Sequence, residues 1–466
     1  MKDLHYLTIA EASRRIGRGR LSPVDLVDAS LDRIAKLNKT LNAFVLVTGE
    51  DARKAAKRAH GQINAGRRIG PLHGIPLGLK DIYSTKGVRT TAHSKVLLKN
   101  VPTADSTVAA RLGAAGMVLV GKLATHEFAT GGPARDLPFP PAVNPWKLGH
   151  FTGGSSSGSG SAIAAGLVTA TMGSDTSGSI RGPSAFCGIA GFKPTYGLVS
   201  RAGVYPLAFS LDHCGPMTWT IEDGAMMLDA IAGPDPADPA SSAPATLPNY
   251  RRALKDGIKG LRVGVIRRFF EKDIEPTREA KAAIEEALRV LKKLGAKLVD
   301  IDLPPLADWD ACCRVILQAE AYAIHEKDLR RRPSIFARVT RERLLSGSML
   351  SAADYIQALR QRTRLCRVYD EALAKAEVAV TGCSLAPAPT LDELYELPSV
   401  LGRGRLVMTP FNVTGAPAAS VCAGFSKEGL PLSIQIAAKP HDDVLVLRAA
   451  HAYEQAAGWR DRRPEL

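Results

Sequence analysis

Two Gly/Ser-rich segments, separated by a run of small apolar residues, constrain the fold of this chain more than any other feature. The first, GGSSSGSGS, begins at residue 153 and passes directly into AIAAGLVTA; the second, GSDTSGSIRG, begins at residue 173. The intervening run is typical of a tightly packed buried helix, which a flexible linker has no reason to join. Glycine lets backbone amides approach a ligand closely and tolerates positive φ. The pattern therefore predicts a rigid pocket for an anion or an oxyanion.

Two other motif matches lack the neighbouring residues that their functions require. Residues 116–122 have the spacing of a phosphate-binding P-loop, but Leu123 replaces the required Ser or Thr, and the residues between the glycines are apolar and β-prone. Residues 154–158 satisfy G-x-S-x-G, which would make Ser156 a nucleophile, but the preceding WKLGHFT is a poor strand for such an elbow. The sequence therefore favours neither a nucleotide site nor an α/β-hydrolase.

Charge and composition narrow the range of partners. The 466 residues include 61 Lys and Arg and 46 Asp and Glu, a net charge of +15 that suits an anionic substrate, a nucleic acid or an acidic surface. The basic residues are spread along the chain without interleaved aromatic residues, which argues against nucleic acid. The opening MKDLHYLTIAEASRRIGRGR lacks the apolar core of a signal peptide, and no apolar run is long enough for a bilayer. We therefore expect no membrane partner.

The cysteines bear on location and on metals. There are seven of them, an odd number, with no C-x-x-C pair and no histidine cluster at zinc spacing. This pattern fits a reducing compartment. We therefore expect a cytoplasmic protein without a metal centre.

Local signals predict a domain that begins with two helices. Thr8 and Glu11 form a capping box, and Ser22 precedes Pro23 at the first position of the next helix. IPLGLKDIY and MVLVGKL are typical of short buried strands. No long linker divides the chain, so we expect one α/β domain. The opening helices are also a candidate interface for a homodimer.

Six segments make the chain resemble the amidase signature family, serine hydrolases that cleave amide and related carbon–nitrogen bonds. They are GIPLGLKD, GGSSSGSGSAIAAGL, GSDTSGSIRGPSAFCGIAGFKPTYGLVS, SLDHCGPM, TPFNVTGAPAASV and GLPLSIQIAAKPHDD, and together they span most of the chain. The resemblance implies one domain with a mixed, largely parallel twisted sheet covered by helices on both faces. Its parts are N-terminal helices (1–65), a signature core (66–225), a variable, largely helical region that shapes the substrate pocket (226–400) and a C-terminal return to the sheet (401–466).

The resemblance places the reacting side chains at Lys80, Ser155 and Ser179. In this family the lysine deprotonates the first serine, which follows a cis peptide bond, and that serine deprotonates the nucleophile, here Ser179. Lysine titrates near about 10.4 in water, so Lys80 must be kept partly neutral by burial. The chemistry passes through an acyl-enzyme on Ser179 and requires neither metal nor cofactor.

Two further sets of residues are implied by the same resemblance. The oxyanion hole falls on consecutive backbone amides, those of Thr176, Ser177, Gly178 and Ser179. A second set of residues is implied either to contact the substrate or to form supporting hydrogen bonds. These residues are Thr130, Gly131, Gly132, Thr152, Asp175 and Arg181. For Asp175 and Arg181 we favour hydrogen bonds that hold the turn, with direct substrate contact as the alternative. Ser177 stands where the family commonly has glycine, and could narrow or polarise the oxyanion loop.

The choice of substrate depends on two arginines. In the glutaminase subunit of tRNA-dependent amidotransferases, a branch of this family, an arginine binds the carboxylate of glutamine and an acidic residue binds its ammonium group. Arg362 matches the first position, but Arg405 occupies the second with the wrong sign, and LGRGRLVM offers no carboxylate. The sequence therefore favours a stand-alone hydrolase of small or aryl amides, with carbamates as further substrates. The glutaminase subunit is the alternative, and a non-catalytic binding protein is a third.

Overall fold

A mixed β-sheet forms the centre of the computed structural model, which describes residues 4–244, 246–396 and 405–466. In chain order its strands are β1 (Phe44–Val47), β2 (Pro76–Lys80), β3 (Val118–Leu123), β4 (Ala170–Asp175), β5 (Ala190–Lys193), β6 (His213–Thr218), β7 (Arg262–Val265), β8 (Lys297–Asp300), β9 (Val378–Ser384), β10 (Ala418–Phe425) and β11 (Pro431–Ala437). Within these ranges they form one sheet in the order β1-β3-β2-β4-β6-β5-β10-β11-β9-β7-β8. The boundary expected between residues 400 and 401 lies outside the described residues.

Helices cover the sheet. They are α1 (Ile9–Gly17), α2 (Pro23–Leu41), α3 (Gly49–Asn64), α4 (Thr107–Ala114), α5 (Ser157–Ala164), α6 (Arg181–Cys187), α7 (Ile221–Ile231), α8 (Tyr250–Ala253), α9 (Arg278–Lys293), α10 (Leu306–Arg331), α11 (Arg338–Leu345), α12 (Ala352–Ala372), α13 (Leu391–Glu396), α14 (Pro410–Val413) and α15 (Asp443–Ala457). Helix α5 packs on β2 and β4, α6 on β10 and β11, and α7 on β5 and β6. No helix in the described part of the chain is long and apolar enough to cross a membrane.

The expected α/β fold with a mixed sheet is confirmed, but the share of parallel pairing is smaller than the family resemblance implies. Among the described strands, the parallel neighbours are β2 with β3 and β4, and β7 with β8 and β9. The other neighbours are antiparallel, including β4 with β6 and β10 with β11. A short turn suffices to join antiparallel strands such as β10 and β11, whereas parallel strands need a longer crossover.

Both opening helices form as predicted, although among the described residues only the Thr8 half of the expected capping box is present. The Thr8 hydroxyl accepts a hydrogen bond from the Glu11 amide at 3.1 Å, and α1 follows it. The Ser22 hydroxyl accepts from the Val24 amide at 3.0 Å at the start of α2. These side chains satisfy amides that a helix start otherwise leaves without acceptors.

The rejected P-loop spacing belongs to strand β3 and the turn before it. Lys122 is fully buried in β3. Its Nζ donates to the Thr90 hydroxyl at 2.7 Å and lies 3.8 Å from the Asp81 carboxylate. A lysine held in this way is part of the core, so the segment is not a phosphate cradle.

The small-residue helix α5 is packed as tightly as its sequence predicts. All of its residues are buried. A Cβ atom added to Gly158 would lie 2.4 Å from the Ala43 carbonyl oxygen and 2.5 Å from the Ala124 nitrogen. Because both atoms belong to backbone, they cannot move aside as a side chain would. Glycine is therefore required where α5 crosses the segment after β3.

We expect Gly158→Ala to lower the free energy of unfolding by about 1–3 kcal/mol, the usual cost of forcing an extra carbon into a packed core. The matched control is Gly113→Ala in α4, where an added Cβ would meet nothing within 4 Å. Alanine is the better helix former, so this control should leave stability unchanged or raise it. Thermal unfolding followed by circular dichroism compares the two. Equal melting temperatures would contradict the packing argument.

Candidate active site

A buried amino group lies at the centre of the candidate site. Lys80 is the last residue of β2, between the parallel strands β3 and β4, and its side chain is fully buried. Its Nζ donates to the hydroxyl oxygens of Ser155 at 2.7 Å, Ser156 at 3.0 Å and Ser174 at 2.9 Å. The three donors of the protonated amino group thus have three acceptors, all of them neutral.

Burial makes this lysine a usable base. Removal from water lowers the pKa of Lys80 to about 7, against the smaller opposing effect of the Asp175 and Asp212 carboxylates. A lysine with that pKa is neutral in a large fraction of molecules at neutral pH. The neutral form has a lone pair that can accept a proton from one of the contacting serines.

The first Gly/Ser segment places Ser155 against the lysine. The peptide bond between Gly154 and Ser155 is cis, as the family resemblance implies. Gly153 has a φ of +79°, and a Cβ on it would lie 2.6 Å from backbone atoms of Pro183. A Cβ on Gly154 would lie 1.9 Å from the His126 ring. The two glycines are therefore required for the close approach of this turn to its neighbours.

Ser179 lies in the turn between β4 and α6, and this turn is wrapped around one carboxylate. Asp175 accepts hydrogen bonds from the amides of Gly178 at 2.7 Å and Ile180 at 3.2 Å. The Arg181 Nε donates to the same carboxylate at 3.1 Å. Burial on its own raises the pKa of Asp175, but the charge and hydrogen bonds of Arg181 hold that pKa well below its usual range. Asp175 is thus ionised and fixes the shape of the turn.

The predicted oxyanion hole needs a correction at Gly178. The Gly178 N–H donates a hydrogen bond to the Asp175 carboxylate, so it is not free for a substrate oxygen. Thr176 does not line the cavity described below, and its hydroxyl donates to Asp212 at 2.6 Å. The amides of Ser177 and Ser179 donate to no acceptor in the described ranges, and both residues line the cavity. These two amides are therefore the candidates that remain for an oxyanion.

Two residues that were not predicted from the sequence complete the support of the turn. Arg181 donates from Nη1 to the Gln435 side chain at 3.0 Å and from Nη2 to Asn412 Oδ1 at 2.6 Å. Asn412 Nδ2 in turn donates to Asp175 Oδ1 at 2.8 Å. Both residues are fully buried. A lone Gln inside the apolar strand PLSIQIA, and an Asn in the buried TPFNV segment, were the signals available in the sequence.

Ser155 and Ser179 open into one cavity of about 760 Å³. The predicted substrate residues Thr130, Gly131 and Gly132 line it as well. Thr152, Asp175 and Arg181 do not line it. They are fully buried, and the Thr152 hydroxyl donates to the Gly153 carbonyl at 2.9 Å. Their burial and hydrogen bonds indicate that these residues support the turns and do not contact the substrate. No three His, Cys, Asp or Glu side chains in the described ranges are grouped to hold a metal ion.

Ser156 has a supporting position in this arrangement. Its hydroxyl accepts from Lys80 and from the Ser174 amide at 3.2 Å, and it donates to the Ser174 carbonyl at 3.2 Å. The residue is fully buried and does not line the cavity. It joins the end of β4 to the start of α5, which is not the exposed position that an elbow nucleophile needs.

Arg362, the arginine expected to bind the glutamine carboxylate, does not lie at the cavity. Arg362 lies in α12 and does not line the cavity; its Nε donates to the Val413 carbonyl at 2.8 Å. Arg405 does line the cavity. The walls come, as expected, from residues near 130 and from helices α10 and α11. Of the third predicted wall, residues 400–412, the part from 400 to 404 lies outside the described residues.

The fold and this site together define an enzyme that hydrolyses amide carbon–nitrogen bonds. The chain belongs to the amidase signature family, whose model, described as Amidase, matches residues 25–447.

Individual relatives cover the whole chain. A glutamyl-tRNA(Gln) amidotransferase subunit of Chloroflexus aggregans is 38% identical over 490 residues, covering 100% of this chain and 99% of that protein. A solved structure described as a vestigial protein complex revealing the origins of an s-triazine catabolic enzyme has a TM-score of 0.90 at 33% identity, covering 99% of this chain and 100% of that chain. The peptide amidase of Stenotrophomonas maltophilia has a TM-score of 0.85 at 30% identity, with 98% of each chain covered.

We expect Arg181→Met to lower the free energy of unfolding by about 3–5 kcal/mol, because it leaves the Asp175 carboxylate buried without its cationic partner. The control is Arg367→Met, which removes an exposed pair with Glu371 in α12 and should leave stability nearly unchanged. Denaturant unfolding measured by intrinsic fluorescence compares both variants with the parent protein. If both variants lose the same stability, the buried pair does not hold the turn.

Proposed function

We propose that this chain hydrolyses small amides, including aryl amides, with carbamates as a second substrate class, through an acyl-enzyme on Ser179. One observation carries the proposal. The fully buried Lys80 Nζ lies 2.7 Å from the Ser155 hydroxyl, beside a cavity that Ser155 and Ser179 both line. A base, a bridging hydroxyl and a second hydroxyl at the substrate cavity are the parts that nucleophilic catalysis by serine needs.

The steps follow from the chemistry of these groups. Neutral Lys80 accepts the proton of Ser155, which accepts the proton of Ser179 while the Ser179 oxygen bonds to the substrate carbonyl carbon. The negative charge on the carbonyl oxygen is stabilised by the amides of Ser177 and Ser179. The proton then returns through Ser155 to the leaving nitrogen as the carbon–nitrogen bond breaks. Water attacks the acyl ester by the same proton transfers and releases the acid and free Ser179.

The second candidate function is that of a glutaminase subunit in an amidotransferase complex. It is favoured by the 38% identity, over the whole chain, to a protein named as one subunit of glutamyl-tRNA(Gln) amidotransferase. The cavity argues against it. Arg405 would face the ammonium group of glutamine, and Arg362 is engaged by the Val413 carbonyl. A glutaminase subunit would release ammonia from glutamine in preference to aryl amides and would co-purify with partner subunits.

The pH dependence of kcat/KM should follow the protonation of Lys80. Below pH 7 the protonated Lys80 cannot accept the serine proton, so kcat/KM should fall about tenfold per pH unit and level off above pH 7. The measurement is hydrolysis of a p-nitroanilide between pH 5 and 9. Lys80→Arg, which stays charged throughout this range, should be inactive at every pH. Constant kcat/KM between pH 5 and 8 would rule out Lys80 as the base.

Active-site labelling tests the nucleophile directly. A fluorophosphonate should modify Ser179, and the modification should disappear in Lys80→Ala and Ser155→Ala because the hydroxyl is then no longer activated. Ser157→Ala is the matched control, since the Ser157 hydroxyl donates to the Ala124 carbonyl rather than contacting Lys80. Peptide mapping by mass spectrometry identifies the labelled residue. Modification of Ser156 would support the elbow interpretation instead, and absence of any modification would favour a non-catalytic or partner-dependent protein.

A further inference from the structure

We propose that the amide substrate carries an anionic group, a carboxylate, which Arg405 and Arg314 bind at the cavity wall. The inference rests on the proposed function and names the substrate class of the same site. It starts from the charged side chains of the cavity wall, which are Arg314, Arg343, Arg405, Glu393 and Glu396.

Arg314 is an exposed cation with no partner among the described residues. It lies in α10, where Arg314, Leu317, Gln318 and Ala321 all line the cavity. Their spacing of three and four residues places them on one face of the helix. In the described ranges Arg314 makes no ion pair and no hydrogen bond through its side chain. A guanidinium group presented in this way can bind a ligand carboxylate with two parallel hydrogen bonds.

Arg405 is fixed to the wall through its backbone. Its carbonyl accepts a hydrogen bond from the Leu385 amide at 2.7 Å, and the next residue, Leu406, forms a β-bridge with Ser384. Ser384 and Leu406 line the cavity together with Arg405. The Arg405 side chain forms no ion pair with any residue that the structure describes. Arg405, which is exposed, therefore supplies a second guanidinium group at the same cavity from a different element.

Arg343 brings positive charge closer to the reacting groups. Its Nη1 donates to the Gly131 carbonyl, in the wall segment predicted to lie along the substrate. Burial, followed by the charges of Arg343 and Lys80, lowers the pKa of His126 to about 3. The His126 imidazole beside Gly154 is therefore neutral. The field of Arg343 favours an anionic substrate over a cationic one.

The two glutamates do not provide an equivalent site for a cation. The Glu393 carboxylate accepts from the Thr390 amide at 2.7 Å and from its hydroxyl at 2.9 Å, and so is occupied at the start of α13. Glu396, the last residue of α13, is exposed, as are Arg314 and Arg405. The net charge of +15 adds a long-range attraction for anions. Among the described residues, the cavity wall carries three guanidinium groups and two carboxylates, so it favours a carboxylate over an ammonium group near Arg405.

Three ligands of matched length test the inference by isothermal titration calorimetry on the Ser179→Ala variant, which prevents turnover. Glutaramate has the carboxylate, pentanamide replaces it with a methyl group, and glutamine adds an ammonium group. We expect glutaramate to bind at least about tenfold more tightly than pentanamide, a typical value for a charge-assisted pair, and more tightly than glutamine. Equal binding of glutaramate and pentanamide, or tightest binding of glutamine, would overturn the inference.

Arginine variants locate the contact. In the same background, Arg405→Gln and Arg314→Gln should each weaken glutaramate binding about five- to tenfold and leave pentanamide binding unchanged. Arg364→Gln is the control, since it removes one exposed positive charge from α12 outside the cavity wall. If Arg364→Gln has the same effect, the attraction is general and the proposed contact is wrong. Because binding is measured without turnover, failure of Ser179 to react with a fluorophosphonate would overturn the proposed function separately.

Discussion

The hydrogen bonding of one buried amino group is the interaction on which the rest of this site depends. Taking a lysine out of water disfavours its charged form, and a carboxylate in contact would restore that form. A second buried lysine, Lys122, has such a carboxylate. Its pKa is also lowered, to about 8, and the Asp81 carboxylate lies 3.8 Å from its Nζ. Lys80 has serine hydroxyls as partners and no carboxylate at ion-pair distance in the described ranges, and its pKa falls to about 7.

The residues of this site come from distant parts of the chain. The lysine comes from β2, its serine partners from the turn before α5 and from β4, and the nucleophile candidate from the turn after β4. That turn is held by Asp175 and Arg181, and Arg181 is held in turn by Asn412 and Gln435 near the C-terminus. A buried polar network of this kind stabilises only when every member is satisfied. Substitutions in β11 can therefore alter the turn that contains Ser179, although β11 lies far from this turn in sequence.

The local parts of this structure were predictable from the sequence, and the long-range parts were not. Capping residues and short apolar runs are local signals, and they correctly predicted α1, α2, β2 and β3. The order of the strands and the share of antiparallel pairing depend on contacts between distant segments, which one sequence does not encode in a readable pattern. The same limit explains the errors at single residues. Whether the Gly178 amide faces Asp175 or a ligand, and whether Arg362 faces the cavity or Val413, depends on side-chain direction rather than on spacing.

The elements that supply the chemistry differ from those that supply the cavity walls. The lysine and serines lie on β2, on β4 and on turns whose glycines are closely packed against neighbouring backbone and side chains, so little variation fits there. The charged walls come from α10, α11, α13 and the segment at Arg405, where exposed side chains such as Arg314 can change without disturbing the core. Identity of 38% to an amidotransferase component can therefore preserve the reaction without preserving the substrate. In the proposed function, the guanidinium group of Arg405 repels the ammonium group that a carboxylate at the same position would attract, and this difference separates the two specificities.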